Sequence, residues 1–105
     1  MIDLKFSYNW NKKLDGKAFT TIRLYNPLKH QLGTPVRILL KDQDLGTGKF
    51  MGVNPFYLAA LNPFMSYIDT GYSVAECQSI IRKMYPKVDF KITRCVMLLV
   101  VKDAV

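Results

Sequence analysis

The amino-acid sequence predicts a small α+β domain in which a curled sheet, or small barrel, carries helices on its outside. Short β-branched or apolar segments, separated by Gly, Pro, Asn and Asp, fill the first half of the chain. A helix with clear start and stop signals lies between Ser73 and Pro86. The run from Cys95 to Val101 is apolar at odd and even positions, which predicts a strand buried on both faces. In a chain this short, such a strand needs a curled sheet with helices packed against it.

Strands are predicted from apolar alternation and from β-branched residues. Leu4 and Phe6 alternate with polar neighbours, and a polar, basic stretch with the turn signal Asp15-Gly16 follows them. An Asp42-Gln43-Asp44 turn is expected to join two antiparallel strands. The predicted strands are residues 3–8, 19–24, 36–41, 45–53, 88–92 and 94–102.

Helices are predicted in the middle of the chain. Asn54-Pro55 and Asn62-Pro63 each combine an N-cap asparagine with proline at the first helical position, which indicates short helices over 55–60 and 63–68. The main helix is predicted at about residues 74–85. It begins at a Ser-x-x-Glu capping box and ends before a proline. Its apolar stripe has helical spacing and consists of Val74, Cys77, Ile80, Ile81 and Met84.

Length and composition predict one domain over residues 1–105. The net charge of +7 favours an anionic partner, and nucleic acid is the commonest one for a small basic domain, although solubility alone also accounts for such a charge. The longest apolar run is far shorter than the roughly 20 residues that span a bilayer, and the first ten residues lack a signal-peptide core. We therefore expect a cytoplasmic protein with no membrane partner. Cys77 and Cys95 are expected to be buried thiols, with a disulfide between them left open.

Several familiar chemistries are not supported. Gly46-Thr47-Gly48-Lys49 has Gln43 where a phosphate-binding loop needs glycine, and Phe50 where it needs Ser or Thr. His30 and the two cysteines lack the short paired spacing of zinc ligands, so neither a metal nor another cofactor is predicted. A Ser-His-Asp triad could use only His30, and nothing else in the sequence supports one.

The segment Gly16–Arg23 combines Lys17, Thr20, Thr21 and Arg23 between a turn and a strand. Hydroxyl groups and two cations at this spacing could bind a phosphate or a carboxylate. The simpler interpretation is an edge strand with solvated charges, and composition by itself favours it.

Two blocks of the sequence resemble the ASCH domain family, a branch of the PUA-like β-barrels. Residues 16–23 are similar to the family's Gly-x-Lys-x-x-Thr-x-Arg segment near the N-terminus. Residues 71–86, which end Met84-Tyr85-Pro86, are similar to its late capped helix. The resemblance extends over most of the chain in the same order. It implies a PUA-like barrel with flanking helices and a cleft that holds RNA or a modified base.

One ASCH group, the bacterial acetylcytidine amidohydrolases, cleaves an acetyl amide with a threonine, a lysine and a glutamate. The threonine falls on Thr21, and the family's arginine falls on Arg23. The lysine falls on Ala18, with Lys17 one place earlier, and the glutamate falls on Thr70, beside Asp69. For an enzyme, the resemblance therefore implies the catalytic residues Thr21, Lys17 and Asp69. A one-residue offset in a strand reverses the direction of the side chain, so Lys17 and Asp69 would need local bulges.

Three functional hypotheses follow. The first is an RNA- or nucleotide-binding module, whose ligand could be a modified nucleoside. Its ligand-binding residues are Lys17, Thr21, Arg23, Thr70 and Tyr72. The second is an amidohydrolase of an acylated nucleoside such as acetylcytidine. The third is an interaction protein, such as a phage or mobile-element accessory protein, with a partner surface formed by Tyr57, Phe64 and Tyr67, although the helical spacing of these aromatic residues favours packing in the core.

Overall fold

A computed structural model describes residues 1–104 of the protein and shows an α+β fold, as the sequence predicts. The strands over this range are β1 (Ile2–Phe6), β2 (Ala18–Leu24), β3 (Pro35–Leu40), β4 (Gln43–Phe56) and β5 (Cys95–Lys102). The α-helices are α1 (Pro63–Thr70) and α2 (Val74–Met84), and short 3₁₀ turns occur at Trp10–Asp15 and Leu58–Ala60.

The strands form a single sheet with the order β1-β3-β4-β5-β2. β1 runs parallel to β3, and the other neighbouring pairs are antiparallel, as predicted for β3 and β4. Parallel neighbours need a long crossover, which residues 7–34 provide. Within residues 1–104, β1 and β2 remain edge strands without a backbone ladder between them. The sheet is therefore a curled half-barrel with an open seam between β1 and β2.

Two hydrophobic clusters lie on opposite faces of the sheet. The inner cluster packs Val96, Leu98 and Val100 of β5 against residues of the other strands. The outer cluster joins Cys95 to the helices. Helices cover only the first half of β5, so the prediction of burial on both faces fails farther along the strand, where Leu99 and Val101 are each 38% exposed.

The helices begin at the capping residues that the sequence indicates. Asn62 Oδ1 accepts a hydrogen bond from the Met65 backbone N–H at 2.9 Å, and Ser73 Oγ accepts one from the Glu76 N–H at 3.3 Å. α2 agrees with the predicted helix at about residues 74–85. α1 is two residues longer than predicted, and this places Asp69 and Thr70 in its last turn.

Two other predicted elements are wrong. The helix predicted over 55–60 is only the turn Leu58–Ala60, because β4 continues through Asn54 and Pro55 to Phe56. Proline is tolerated there because this part of β4 pairs with β5 alone and leaves its other edge free. The strand predicted over 88–92 is a series of turns.

Cys77 and Cys95 are buried free thiols. Residues 1–104 include no helix that is both long and apolar enough to cross a membrane.

Candidate functional site

A small cleft of about 100 Å³ opens at the seam, between β1, β2 and the helices. Its polar lining includes Lys13, Thr21, Arg23, Asp69 and Thr70. Its apolar walls include Phe6, Tyr8, Trp10, Ile81 and Tyr85. We call this cavity the seam cleft. The last turn of α1 and the inward-facing residues of β2 therefore bring their polar side chains to one place.

Asp69 is the hydrogen-bonding centre of the seam cleft. Its Oδ1 accepts from Lys13 Nζ at 3.0 Å and from Thr20 Oγ1 at 2.9 Å. The Asp69 and Lys13 side chains are only 6% and 7% exposed. Burial lowers the pKa of Lys13, and the Asp69 carboxylate opposes that shift. The ion pair thus joins the end of α1 to the turn before β2.

Arg23 crosses the open seam of the sheet. Its Nε donates to Thr21 Oγ1 at 3.2 Å, and one terminal nitrogen donates to the Lys5 carbonyl of β1 at 2.7 Å. The guanidinium also lies 4.7 Å from the centre of the Phe6 ring. Of its five N–H groups, three have no hydrogen-bond partner within residues 1–104. Arg23 therefore fastens β1 to β2 and retains donors for a ligand.

Positive charge exceeds negative charge in the seam cleft. Among the described residues that line it, Lys13 and Arg23 are cationic deep in the wall and Lys5 lies at its edge, whereas Asp69 supplies the only carboxylate. Burial lowers the pKa of Arg23, with Tyr85 and Asp69 acting in the opposite direction. Burying a charge without a counter-ion is unfavourable, so this arrangement favours an anionic or strongly dipolar ligand.

The turn Trp10–Asp15 holds Lys13 in position. Asn11 and Lys12 have φ values of 55° and 53°, a left-handed conformation that is unfavourable for a residue such as lysine. The buried residue Leu14 anchors the turn. Its N–H donates to Asn9 Oδ1, and its carbonyl accepts from Lys102 Nζ. Such backbone strain is often found at binding sites, where the surrounding structure maintains it.

The structure brings together four residues singled out in the sequence. Thr21, Arg23, Asp69 and Thr70 line the seam cleft. Thr21 is buried on the inner face of β2. The Thr70 hydroxyl donates to the Ser66 carbonyl and accepts from the Tyr72 N–H, so it also stabilises the end of α1.

Lys17 and Tyr72 lie outside the seam cleft. Lys17 is exposed before β2, and its backbone carbonyl accepts from the Lys102 N–H. Tyr72 lies beside the cleft, with its ring edge-on to Trp10 at 5.9 Å. The lysine of the cleft is Lys13, which the sequence reasoning missed. Leu14, an isolated apolar residue in a polar stretch, indicates that this turn is anchored but not which of the nearby lysines faces the cleft.

His30 lies away from the seam cleft, and its Nδ1 accepts from the Asn26 N–H at 2.9 Å. In the part of the chain that the structure describes, no three His, Cys, Asp or Glu side chains form a group that could hold a metal ion. Neither protein-family models nor curated protein sequences gave a match to the chain. Its function is therefore argued from the seam cleft.

Proposed function

We propose that the protein is an ASCH-like module that binds RNA or a nucleotide through the seam cleft. The observation that carries this proposal is the excess of cations, Lys13 and Arg23, over the single carboxylate of Asp69 within the described lining. A phosphate or the polar edge of a base would accept hydrogen bonds from the free N–H groups of Arg23. The overall charge of +7 would attract the same ligands over longer distances.

The half-barrel with helices outside it also supports the ASCH-like, PUA-like interpretation. Thr21 and Arg23 come from the first block of resemblance, and Tyr85 comes from the second. All three line the seam cleft, although Arg23 and Tyr85 lie 62 positions apart in the chain. Their meeting at one cavity is what a shared ligand site requires.

The volume of the cleft limits what enters it. About 100 Å³ is below the roughly 300–1,000 Å³ of pockets that enclose a whole small molecule. The cleft therefore accepts one end of a ligand, such as a base edge or a phosphate. Tyr8 and Trp10, whose rings are 4.7 Å apart at its wall, offer aromatic surface to the remainder.

Binding of cytidine monophosphate and of a short RNA, measured by calorimetry at low salt, tests this proposal. Arg23→Lys retains the charge but removes the planar fork, and we expect about tenfold weaker binding, or about 1.4 kcal/mol. Arg37→Lys is the matched control, because Arg37 lies on β3 with a half-exposed side chain paired to Asp44. Thermal unfolding of both variants separates lost affinity from a loosened seam. A parent protein without measurable affinity for either ligand at low salt would end the proposal.

Hydrolysis of an acylated nucleoside is the second candidate function, and the Lys13–Asp69 pair, which lines the same cleft as Thr21, favours it. The Thr21 hydroxyl accepts from Arg23 and keeps its own proton available to a base. Burial lowers the pKa of Lys13, which makes its neutral, basic form more accessible. Lys13 and Asp69 would then serve as the family's lysine and glutamate do, from different positions in the chain.

Release of cytidine from acetylcytidine, followed by chromatography, tests this second candidate. We expect Thr21→Val and Lys13→Met to remove turnover, since each loses a reacting group while keeping most of its volume. Lys17→Met should retain it, because Lys17 is exposed and outside the cleft. A parent without turnover, or loss of turnover in Lys17→Met alone, would contradict this mechanism.

A further inference from the structure

The segment that follows α2 is basic and irregular. Residues 85–94 contain three Lys and Arg, namely Lys87, Lys91 and Arg94, against one acidic residue, Asp89. Asp89 Oδ1 accepts from the Lys91 N–H, and its carbonyl accepts from the N–H groups of Ile92 and Thr93, so Asp89 shapes the turn. We call residues 85–94 the basic loop. Its exposed lysines, Lys87 and Lys91, form no ion pair within residues 1–104.

A groove of about 590 Å³ runs between the basic loop and the residues that follow β4. Aromatic rings from Tyr57, Tyr85 and Phe90 line it, together with two cations, Arg82 and Lys91, and one carboxylate, Asp89. Tyr57 is 48% exposed, so its ring is accessible to a ligand. The combination of rings and cations is typical of surfaces on which single-stranded nucleic acids stack their bases.

Tyr85 connects this groove to the seam cleft, since its side chain lines both cavities. It also lines a third, open hollow of about 450 Å³ with Arg23, Lys29 and His30. In that hollow the Tyr25 ring packs against His30 at 6.2 Å and lies 5.0 Å from the Arg94 guanidinium. Because the Tyr25 ring already packs against these two side chains, the third hollow offers a ligand mainly cations. The three cavities adjoin one another around a single side chain.

We propose that the ligand of this protein is a single-stranded nucleic acid that crosses Tyr85, with the edge of one base in the seam cleft and a neighbouring base against Tyr57. Its phosphates would lie beside Lys87 and Lys91 and form ion pairs with them. This inference rests on the proposed function and names its ligand as an oligonucleotide of about four or more nucleotides. A duplex is disfavoured, because its paired bases cannot enter a cleft of about 100 Å³.

Fluorescence anisotropy with a labelled eight-nucleotide RNA, a DNA of the same sequence and competing cytidine monophosphate tests the length of the site. We expect the oligonucleotide to bind at least tenfold more tightly than the mononucleotide. Tighter binding of the RNA than of the DNA would indicate a site that recognises ribose, whereas equal binding would indicate a site for single-stranded nucleic acid in general. Equal affinity for oligonucleotide and mononucleotide would overturn this inference and leave the proposed function standing. Absence of binding to both would overturn the proposed function as well.

Charge variants show where the phosphates of the bound nucleic acid lie on the protein. Lys87→Gln with Lys91→Gln should weaken oligonucleotide binding and reduce the slope of log affinity against log salt by about 1.4, or about 0.7 for each lost phosphate contact. Lys17→Gln with Lys49→Gln is the control, because both lysines are exposed at the opposite end of the sheet and the charge change is the same. An equal effect of the two pairs would show that only net charge matters and would contradict the inference.

The stacking contact has its own test. Tyr57→Ala should weaken oligonucleotide binding about tenfold and leave mononucleotide binding within twofold, because only the longer ligand reaches the groove. Tyr67→Ala serves as the control, since Tyr67 is similarly exposed but lies on α1 outside the groove. If an acidic peptide competes for the groove as well as RNA does, the ligand class is wrong.

Discussion

His30 is held in the neutral state by its surroundings. Its Nδ1 accepts the Asn26 N–H, and its ring packs between Tyr25 and the edge of Phe50. Burial lowers its pKa below the ordinary 6.5, and the nearby charges of Arg23 and Lys29 act in the same direction. Protonation would add a charge and remove the acceptor from Nδ1. The loop between β2 and β3 therefore depends on an uncharged imidazole.

This environment predicts a loss of stability in mild acid. The unfolded chain protonates His30 near pH 6.5, whereas the folded chain does so only at lower pH, so stability is lost as pH falls from 6.5 through the folded pKa. His30→Asn supplies an amide oxygen that accepts the same hydrogen bond but does not titrate. We expect a smaller decrease in the free energy of unfolding between pH 7 and pH 5 in this variant, measured by urea denaturation. An equal decrease in parent and variant would contradict the assignment.

Lys13 shows what sequence reasoning cannot reach at the scale of one residue. Thr21 and Arg23 could be selected because the resemblance marks their positions, and Asp69 because it adjoins the marked position of Thr70. All three line the seam cleft. Lys12, Lys13 and Lys17 lie in one polar stretch with no periodicity to distinguish them. Only the left-handed backbone at Asn11 and Lys12 turns Lys13 toward Asp69. Such a turn depends on contacts with residues distant in sequence.

Among the elements, α2 was predictable because capping, apolar periodicity and a terminal proline agree over the same residues.

The segment 88–92 misled the prediction because Val88, Phe90 and Ile92 alternate as in a strand. In the structure, Asp89 organises turns instead, and the segment pairs with no strand within residues 1–104. Asn62-Pro63 caps α1, whereas Asn54-Pro55 caps no helix. At Asn54, pairing with β5 is more favourable than the start of a helix.

The turn Trp10–Asp15 predicts a stabilising substitution. Lys12→Gly removes a left-handed penalty of about 1–2 kcal/mol and adds about 0.5–1 kcal/mol of unfolded-state entropy, so we expect a net gain of about 0.5–1 kcal/mol. The denaturant midpoint should rise at constant slope. Lys12→Ala keeps a Cβ atom and loses the same charge, so it should give no such gain. Equal midpoints for the two variants would contradict the idea that the turn is strained.

For the whole molecule, the sequence predicts an α+β fold with a curled sheet, and the structure has both. The open seam was not predictable, because strand order depends on pairings between distant segments rather than on local patterns. Arg23 joins β1 to β2 through a side chain where a closed barrel would have a backbone ladder. The cleft exists at the place where the ladder is missing.

The position of β5 in the sheet has a consequence for folding. β5 lies between β4 and β2, so β2 acquires its only ladder partner within the described chain after residues 95–102 have been synthesised. Until then β1, β3 and β4 can pair, but Thr21 and Arg23 lie on a strand without a neighbour. Contacts between such distant segments form slowly. The seam cleft is therefore among the last parts of the molecule to assemble, and a nascent chain cannot hold its ligand early.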